Sequence, residues 1–147
     1  MQAVAVFQGP IIKGIILFIQ KRGYVEIEIE IEGLEEGLHG AHIHNAGDLR
    51  KGCDSCCSHY NPENNFHGGL NDVNSHAGDL GNIEADNDGH VTMVIQTSKF
   101  KVKDIFGRSM IIHEDEDDLG KGRTKESKQT GTSGKRIACA VIGRVEC

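Results

Sequence analysis

From Val25 to Glu32 the chain reads Val-Glu-Ile-Glu-Ile-Glu-Ile-Glu. A strict period of two fits the β-strand, where successive side chains leave opposite faces; a helix would scatter both sets around its axis. Val25, Ile27, Ile29 and Ile31 then form a buried face, and Glu26, Glu28, Glu30 and Glu32 a wet one. A strand buried on one side needs neighbours to pair with and a layer to pack against, so this segment commits the chain to a sheet. Ile11 to Gln20 reads as its partner strand, with Lys21-Arg22-Gly23-Tyr24 as a connection short enough for a hairpin.

Shorter apolar runs at Ala3 to Phe7, Ala41 to His44, His90 to Thr97, Ser109 to Ile112 and Ile137 to Val145 continue the pattern. Turn chemistry separates them, and 19 glycines against two prolines favour many tight turns over long helices. Asp86-Asn87-Asp88-Gly89 has the beginning of a calcium loop but neither its remaining ligand positions nor its closing Glu, so it reads as a β-turn. Two segments break the strand rhythm, Asn45 to Ser75 and Glu114 to Lys135. Irregular stretches of that length inside a compact domain are usually functional or disordered, and the histidines and cysteines of the first favour function. The expectation is one all-β domain over residues 1–147, with strands carrying two long functional loops.

A formal charge of -6 argues against a nucleic-acid binder, which needs excess Lys and Arg to displace counterions from phosphate. Ile15 to Ile19 is too short an apolar run to span a bilayer, and no signal-peptide pattern is evident. The expected setting is therefore cytoplasmic, away from membranes. Five cysteines cannot all pair within one chain, so at least one thiol is free or bonded elsewhere. Cys53-x-x-Cys56 has the spacing of half a thiolate zinc site, but no second such pair follows it.

The histidines carry the chemistry. His42 and His44 lie two apart on a strand, so both rings can converge on one ion, although such a pair is weak evidence alone. His59, His67, His76 and Asp79 fall in or just after the first irregular segment, and three imidazoles with one carboxylate suit a closed tetrahedral zinc site. His113 follows Met110-Ile111-Ile112 and is placed to complete a site begun by His42 and His44. His39 is expected to help fix the turn before the His42 strand, and His90 to begin an exposed strand.

The order of motifs is more specific than any one of them. Gly37-Leu38-His39-Gly40-Ala41-His42-Ile43-His44, His59-Tyr60-Asn61-Pro62, His67-Gly68-Gly69 and His76-Ala77-Gly78-Asp79-Leu80-Gly81-Asn82 come first. His113-Glu114, Asp117-Asp118-Leu119-Gly120-Lys121-Gly122 and Arg136-Ile137-Ala138-Cys139 follow. Over nearly its whole length the chain resembles the Cu,Zn superoxide dismutases, which carry these motifs in the same order. The resemblance, together with the strand pattern, implies an eight-stranded Greek-key β-barrel or flattened sandwich. It implies a copper ion held by His42, His44, His59 and His113, and a zinc ion held by His59, His67, His76 and Asp79, with His59 bridging the two. Asp117 would link a copper histidine to a zinc histidine, and Arg136 would draw in and orient the anion. Arg136 and His59 are thus the expected catalytic residues.

The same resemblance implies a Cys53–Cys139 disulfide, for which Cys56 and Cys57 are close competitors. It also implies superoxide as substrate, a homodimer through Phe106-Gly107 and Ile142-Gly143, and a copper chaperone as a further partner. Cys147 is expected to be a free exposed thiol. The chain departs from the family where Ala41 and Ala46 replace aromatic residues, where Thr132-Ser133 replaces an Asn-containing pair, and where Arg144 falls on an apolar interface position. A noncatalytic relative that delivers copper or serves as a structural zinc domain is the alternative reading.

Overall fold

The computed structural model describes residues 1–145; residues 146 and 147, and with them the expected thiol of Cys147, lie outside the described residues. The strands are β1 (Gln2–Gln8), β2 (Lys13–Gln20), β3 (Val25–Glu32), β4 (Gly37–His44), β5 (Arg50–Cys53), β6 (Asp79–Ala85), β7 (Val91–Thr97), β8 (Ser109–His113) and β9 (Arg136–Arg144). All but β5 join one antiparallel sheet in the order β6-β4-β8-β9-β1-β2-β3-β7. A tight turn links the end strands β6 and β7, where Asp86 N donates to His90 O at 2.9 Å and Gly89 N to Asp86 O at 3.0 Å. The sheet therefore curls into a nearly closed barrel. Because β4 lies between β6 and β8 rather than beside β3, the chain crosses the barrel end after β3 in Greek-key fashion.

The barrel interior follows the alternation in β3. Val25, Ile27, Ile29 and Ile31 are buried, and their partners in register include Phe18 and Ile95 for Ile27, and Ile16 and Met93 for Ile29. Ile43, Ile83, Met110, Ile112 and Ile142 close the core from the opposite wall. Each such side chain contributes about 1.5–3 kcal/mol by leaving water.

Three sequence expectations need correction. β6 is absent from the apolar runs, because Asp79-Leu80-Gly81-Asn82 reads as polar; Leu80, Ile83 and Ala85 nevertheless point into the core. The strand expected from Ile11 begins at Lys13, and Ile11 is 73% exposed. The irregular segments also contain regular elements: β5 and a 3-10 turn at Asp54–Cys56 in the first, and α1 (Lys125–Gln129) in the second. Thr124 caps α1 by accepting a hydrogen bond from Ser127 N at 3.1 Å.

Candidate metal centre

Strand β4 places His42 and His44 at one end of the barrel, both buried. His113 closes the neighbouring β8, whose Ile111 pairs with His42. His59 comes from the segment after β5, which is tied onto β4 by Tyr60 N to Ile43 O at 2.8 Å and Asn45 N to Ser58 O at 2.8 Å. The rings of His42 and His59 stack at 4.1 Å between centroids, and those of His42 and His113 lie at 4.8 Å. One ligand atom from each of His42, His44, His59 and His113 falls within 4.8 Å of the others.

One nitrogen of each outer ring is already committed. His44 Nδ1 donates to Cys57 O at 2.9 Å, His113 Nδ1 donates to Gly134 O at 3.1 Å, and His42 Nε2 lies 2.6 Å from Asp117 Oδ2. The remaining atoms, His42 Nδ1, His44 Nε2 and His113 Nε2, are buried without a hydrogen-bond partner. An unpartnered buried polar atom costs about 1–3 kcal/mol, so three in one place call for a common partner. A cation favoured by imidazole, such as copper, meets that need.

The second set is tighter. Asp79 Oδ1 stands 3.0 Å from His59 Nδ1, 2.9 Å from His67 Nδ1 and 3.3 Å from His76 Nδ1, while His59 Nδ1 and His76 Nδ1 are 3.0 Å apart. Four ligands at about 2.0 Å from a zinc ion define a tetrahedron with edges of about 3.3 Å, close to this spacing. His67 Nδ1 makes no aligned hydrogen bond despite its nearness to Asp79, as suits two atoms facing a shared third partner. His42 also falls within ligand range of His59, His67 and Asp79. Its Nε2 is held by Asp117, however, and its free Nδ1 counts towards the four-histidine set.

Burial sets the charge states. It drives His42 well below the usual histidine range and His44 down to about 2, and it also lowers His59 and His113. Neutral rings are the form that ligates metal. Burial alone would raise Asp79, but the close imidazoles of His59, His67 and His76 outweigh it and hold the carboxyl far below its ordinary range. Burial opposes charge on His67 too, yet Asp117 and Asp79 raise it to about 9.

The two sets are physically joined. Asp117 contacts His42 Nε2 at 2.6 Å and His67 Nε2 at 2.7 Å, its own N–H donates to Asn82 Oδ1 at 2.7 Å, and Asn82 Nδ2 donates to Asp117 O at 3.0 Å. Gly131 has φ of 86°, and a Cβ there would collide with Asp117 Oδ1 and His67 Nε2. Cys53 and Cys139 form a disulfide with Cα atoms 5.6 Å apart, while Cys56 and Cys57 are free. The same Cys53 presents its carbonyl to Arg136 Nη1 at 2.9 Å, and the guanidinium charge reaches both His44 and His113.

His39 holds the connection before β4, as expected, from a position inside that strand. It lies buried within β4, with Nδ1 at 2.9 Å from His113 O and Nε2 at 2.8 Å from Glu35 O. His90 precedes β7 rather than opening it. Sequence reading missed two polar residues at the centre: Asn82, which was visible only as part of a motif, and Lys99. The ammonium of Lys99 binds the carbonyls of His76 and Asp79 at 3.0 and 2.6 Å. Between Ser98 and Phe100 it has the local look of a solvated lysine.

Comparison with known proteins agrees with this architecture. A copper/zinc superoxide dismutase family model matches residues 12–142. The human copper chaperone for superoxide dismutase is 48% identical over 144 residues, covering 97% of this chain and 53% of that protein. The Cu-Zn superoxide dismutase of Paramecium bursaria Chlorella virus 1 is 45% identical over 147 residues, covering 97% of this chain and 78% of its own. The crystal structure of the clock protein EA4 superposes with a TM-score of 0.94 at 41% identity, covering 97% of this chain and 93% of the other. The chain spans about half the length of the copper chaperones it matches. On the family model, the barrel and these relatives together, the chain belongs to the copper/zinc superoxide dismutase family.

Proposed function

We propose that residues 1–147 form one catalytic domain that disproportionates superoxide, two superoxide anions and two protons giving one O₂ and one H₂O₂. The observation that carries this reading is the complete four-histidine set, with three buried nitrogens unpartnered and Arg136 beside it. His42, His44, His59 and His113 would hold copper, and His59, His67, His76 and Asp79 zinc. Bound copper supplies the one-electron chemistry, accepting an electron from one superoxide and returning it to the next, while zinc is redox-inert.

The protein's own residues set up that exchange. Arg136, fixed by the Cys53 carbonyl, holds a permanent positive charge near His44 and His113, where it attracts and orients an anion. Lys121, Arg123, Lys125, Lys128 and Lys135, in the segment that leads to Arg136, would supply local positive charge to guide the anion, against a chain of net charge -6. His59 Nδ1 faces Asp79 and His76, which leaves Nε2, on the four-histidine side, as the atom that would take up and release a proton. Asp117 keeps His42 and His67 in fixed orientation.

A copper-delivering domain is the second reading, favoured by the 47–48% identity to proteins named as copper chaperones for superoxide dismutase. Dismutation by the full chain, before and after loading with copper and with metal content measured on the same samples, decides between them. Activity proportional to copper supports the enzyme. Copper release to an acceptor, with full occupancy and no dismutation, supports delivery. His113→Ala should abolish dismutation while zinc stays bound.

Homodimer formation and a cytoplasmic setting belong to the proposal. Phe106 carries the Arg144 guanidinium at 4.5 Å from its ring, so the charge at the proposed interface already has an aromatic partner. Sedimentation that shows a concentration-independent monomer at micromolar protein would overturn the dimer. Among the described residues no helix is long and apolar enough to cross a membrane.

A further inference from the structure

We infer that Lys99 is a positioning residue for the zinc set, clamping the His76–Asp79 turn from outside; the inference rests on the metal-centre reading above. Lys99 lies between β7 and the 3-10 turn Val102–Asp104, and its side chain is half-buried. The ammonium has three donors, and each has an acceptor: Asp79 O at 2.6 Å, His76 O at 3.0 Å and Ser75 Oγ at 3.2 Å. Two of these acceptors are backbone carbonyls of residues whose side chains face the zinc set. Ser75 Oγ in turn donates to Asp72 O at 2.7 Å, and Asp79 N donates to His76 O at 3.0 Å. One cation thus fixes both ends of a four-residue turn that supplies two of the four ligand atoms.

Two effects of the charge oppose each other. An ammonium near a cation site repels the ion. It also orders a turn whose freedom would otherwise be lost on metal binding, so that less conformational entropy is given up when the ion binds. The charge is directed at two carbonyl oxygens and shares its surroundings with the Asp79 carboxylate, so the ordering effect dominates. A polar group that orients ligands in this way typically changes metal affinity by about 10- to 100-fold.

The test is zinc affinity of the full chain by chelator competition, native against Lys99→Met, with cobalt(II) in the zinc set as a spectroscopic reporter of ligand geometry. Lys99→Met should bind zinc about 10- to 100-fold more weakly, with an altered cobalt spectrum and unchanged copper affinity. Lys99→Arg should restore part of the loss. If Lys99→Met does not fold, Lys99→Gln carries the same expectation. Zinc affinity and a cobalt spectrum equal to native in the folded variant would overturn the role of Lys99 alone. A native chain that takes up no zinc would overturn the metal-centre reading, and this inference with it.

Discussion

Cys57 has φ of 68° and ψ of -151°, a backbone region that suits glycine and strains a residue bearing a Cβ. The strain has a use: the Cys57 carbonyl accepts the hydrogen bond that fixes His44 Nδ1. The thiol adds little, since it is exposed and makes only a 3.7 Å contact with Ser55 O. Cys57→Gly should therefore stabilise the metal-free protein by about 1 kcal/mol, the relief of strain exceeding the entropy that glycine adds to the unfolded chain. Thermal unfolding checks it, and a lower midpoint would mean that the side chain contributes packing absent from this account. Residue identity made much of the site legible: His42 and His44 share a strand face, and His59, His67, His76 and Asp79 cluster in the sequence. Lys99 stayed hidden because its meaning comes from two carbonyls about twenty positions away, and carbonyls leave no mark in sequence.

At the scale of the element, β3 separates two kinds of position within a single strand. Ile29 is buried between Ile16 and Met93, whereas Glu28 is exposed between Leu17 and Val94. Ile29→Ala should cost about 2–5 kcal/mol, because it leaves a cavity in the barrel. Glu28→Thr should change stability by no more than about 0.5 kcal/mol, since Thr suits a strand and removes one of a row of like charges. Chemical denaturation of the two variants measures the contrast; equal costs would mean that β3 has slipped register or faces a partner on its acidic side. This strand is legible because its neighbours on both sides impose one wet and one dry face. β6 is not: Asp79 is turned to the cluster of His59, His67 and His76, Gly81 adopts φ of 78°, and only Leu80, Ile83 and Ala85 remain to announce the strand. β5 packs outside the sheet and has no buried alternation to read.

At the scale of the whole molecule, Cys53–Cys139 closes a sequence separation of 86 residues and ties the segment after β4 to the last strand. In the chain-entropy account a loop of that size gives roughly 4–5 kcal/mol, and measured bridges more often give about 2–4 kcal/mol. The bridge also has a local consequence, because the Cys53 carbonyl holds the Arg136 guanidinium and Arg136 itself opens β9, three residues before Cys139. Loss of the bridge should therefore act twice. Cys53→Ser should lower stability by about 2–4 kcal/mol. If the enzyme reading holds, it should also reduce dismutation per bound copper, since Arg136 loses its fixed orientation towards His44 and His113. The two effects separate when denaturation and activity are measured on samples matched for copper and zinc content. A fall in stability with unchanged activity per copper would show that the barrel, rather than the disulfide, positions Arg136. A fall in both would make the bridge part of the site as well as of the fold.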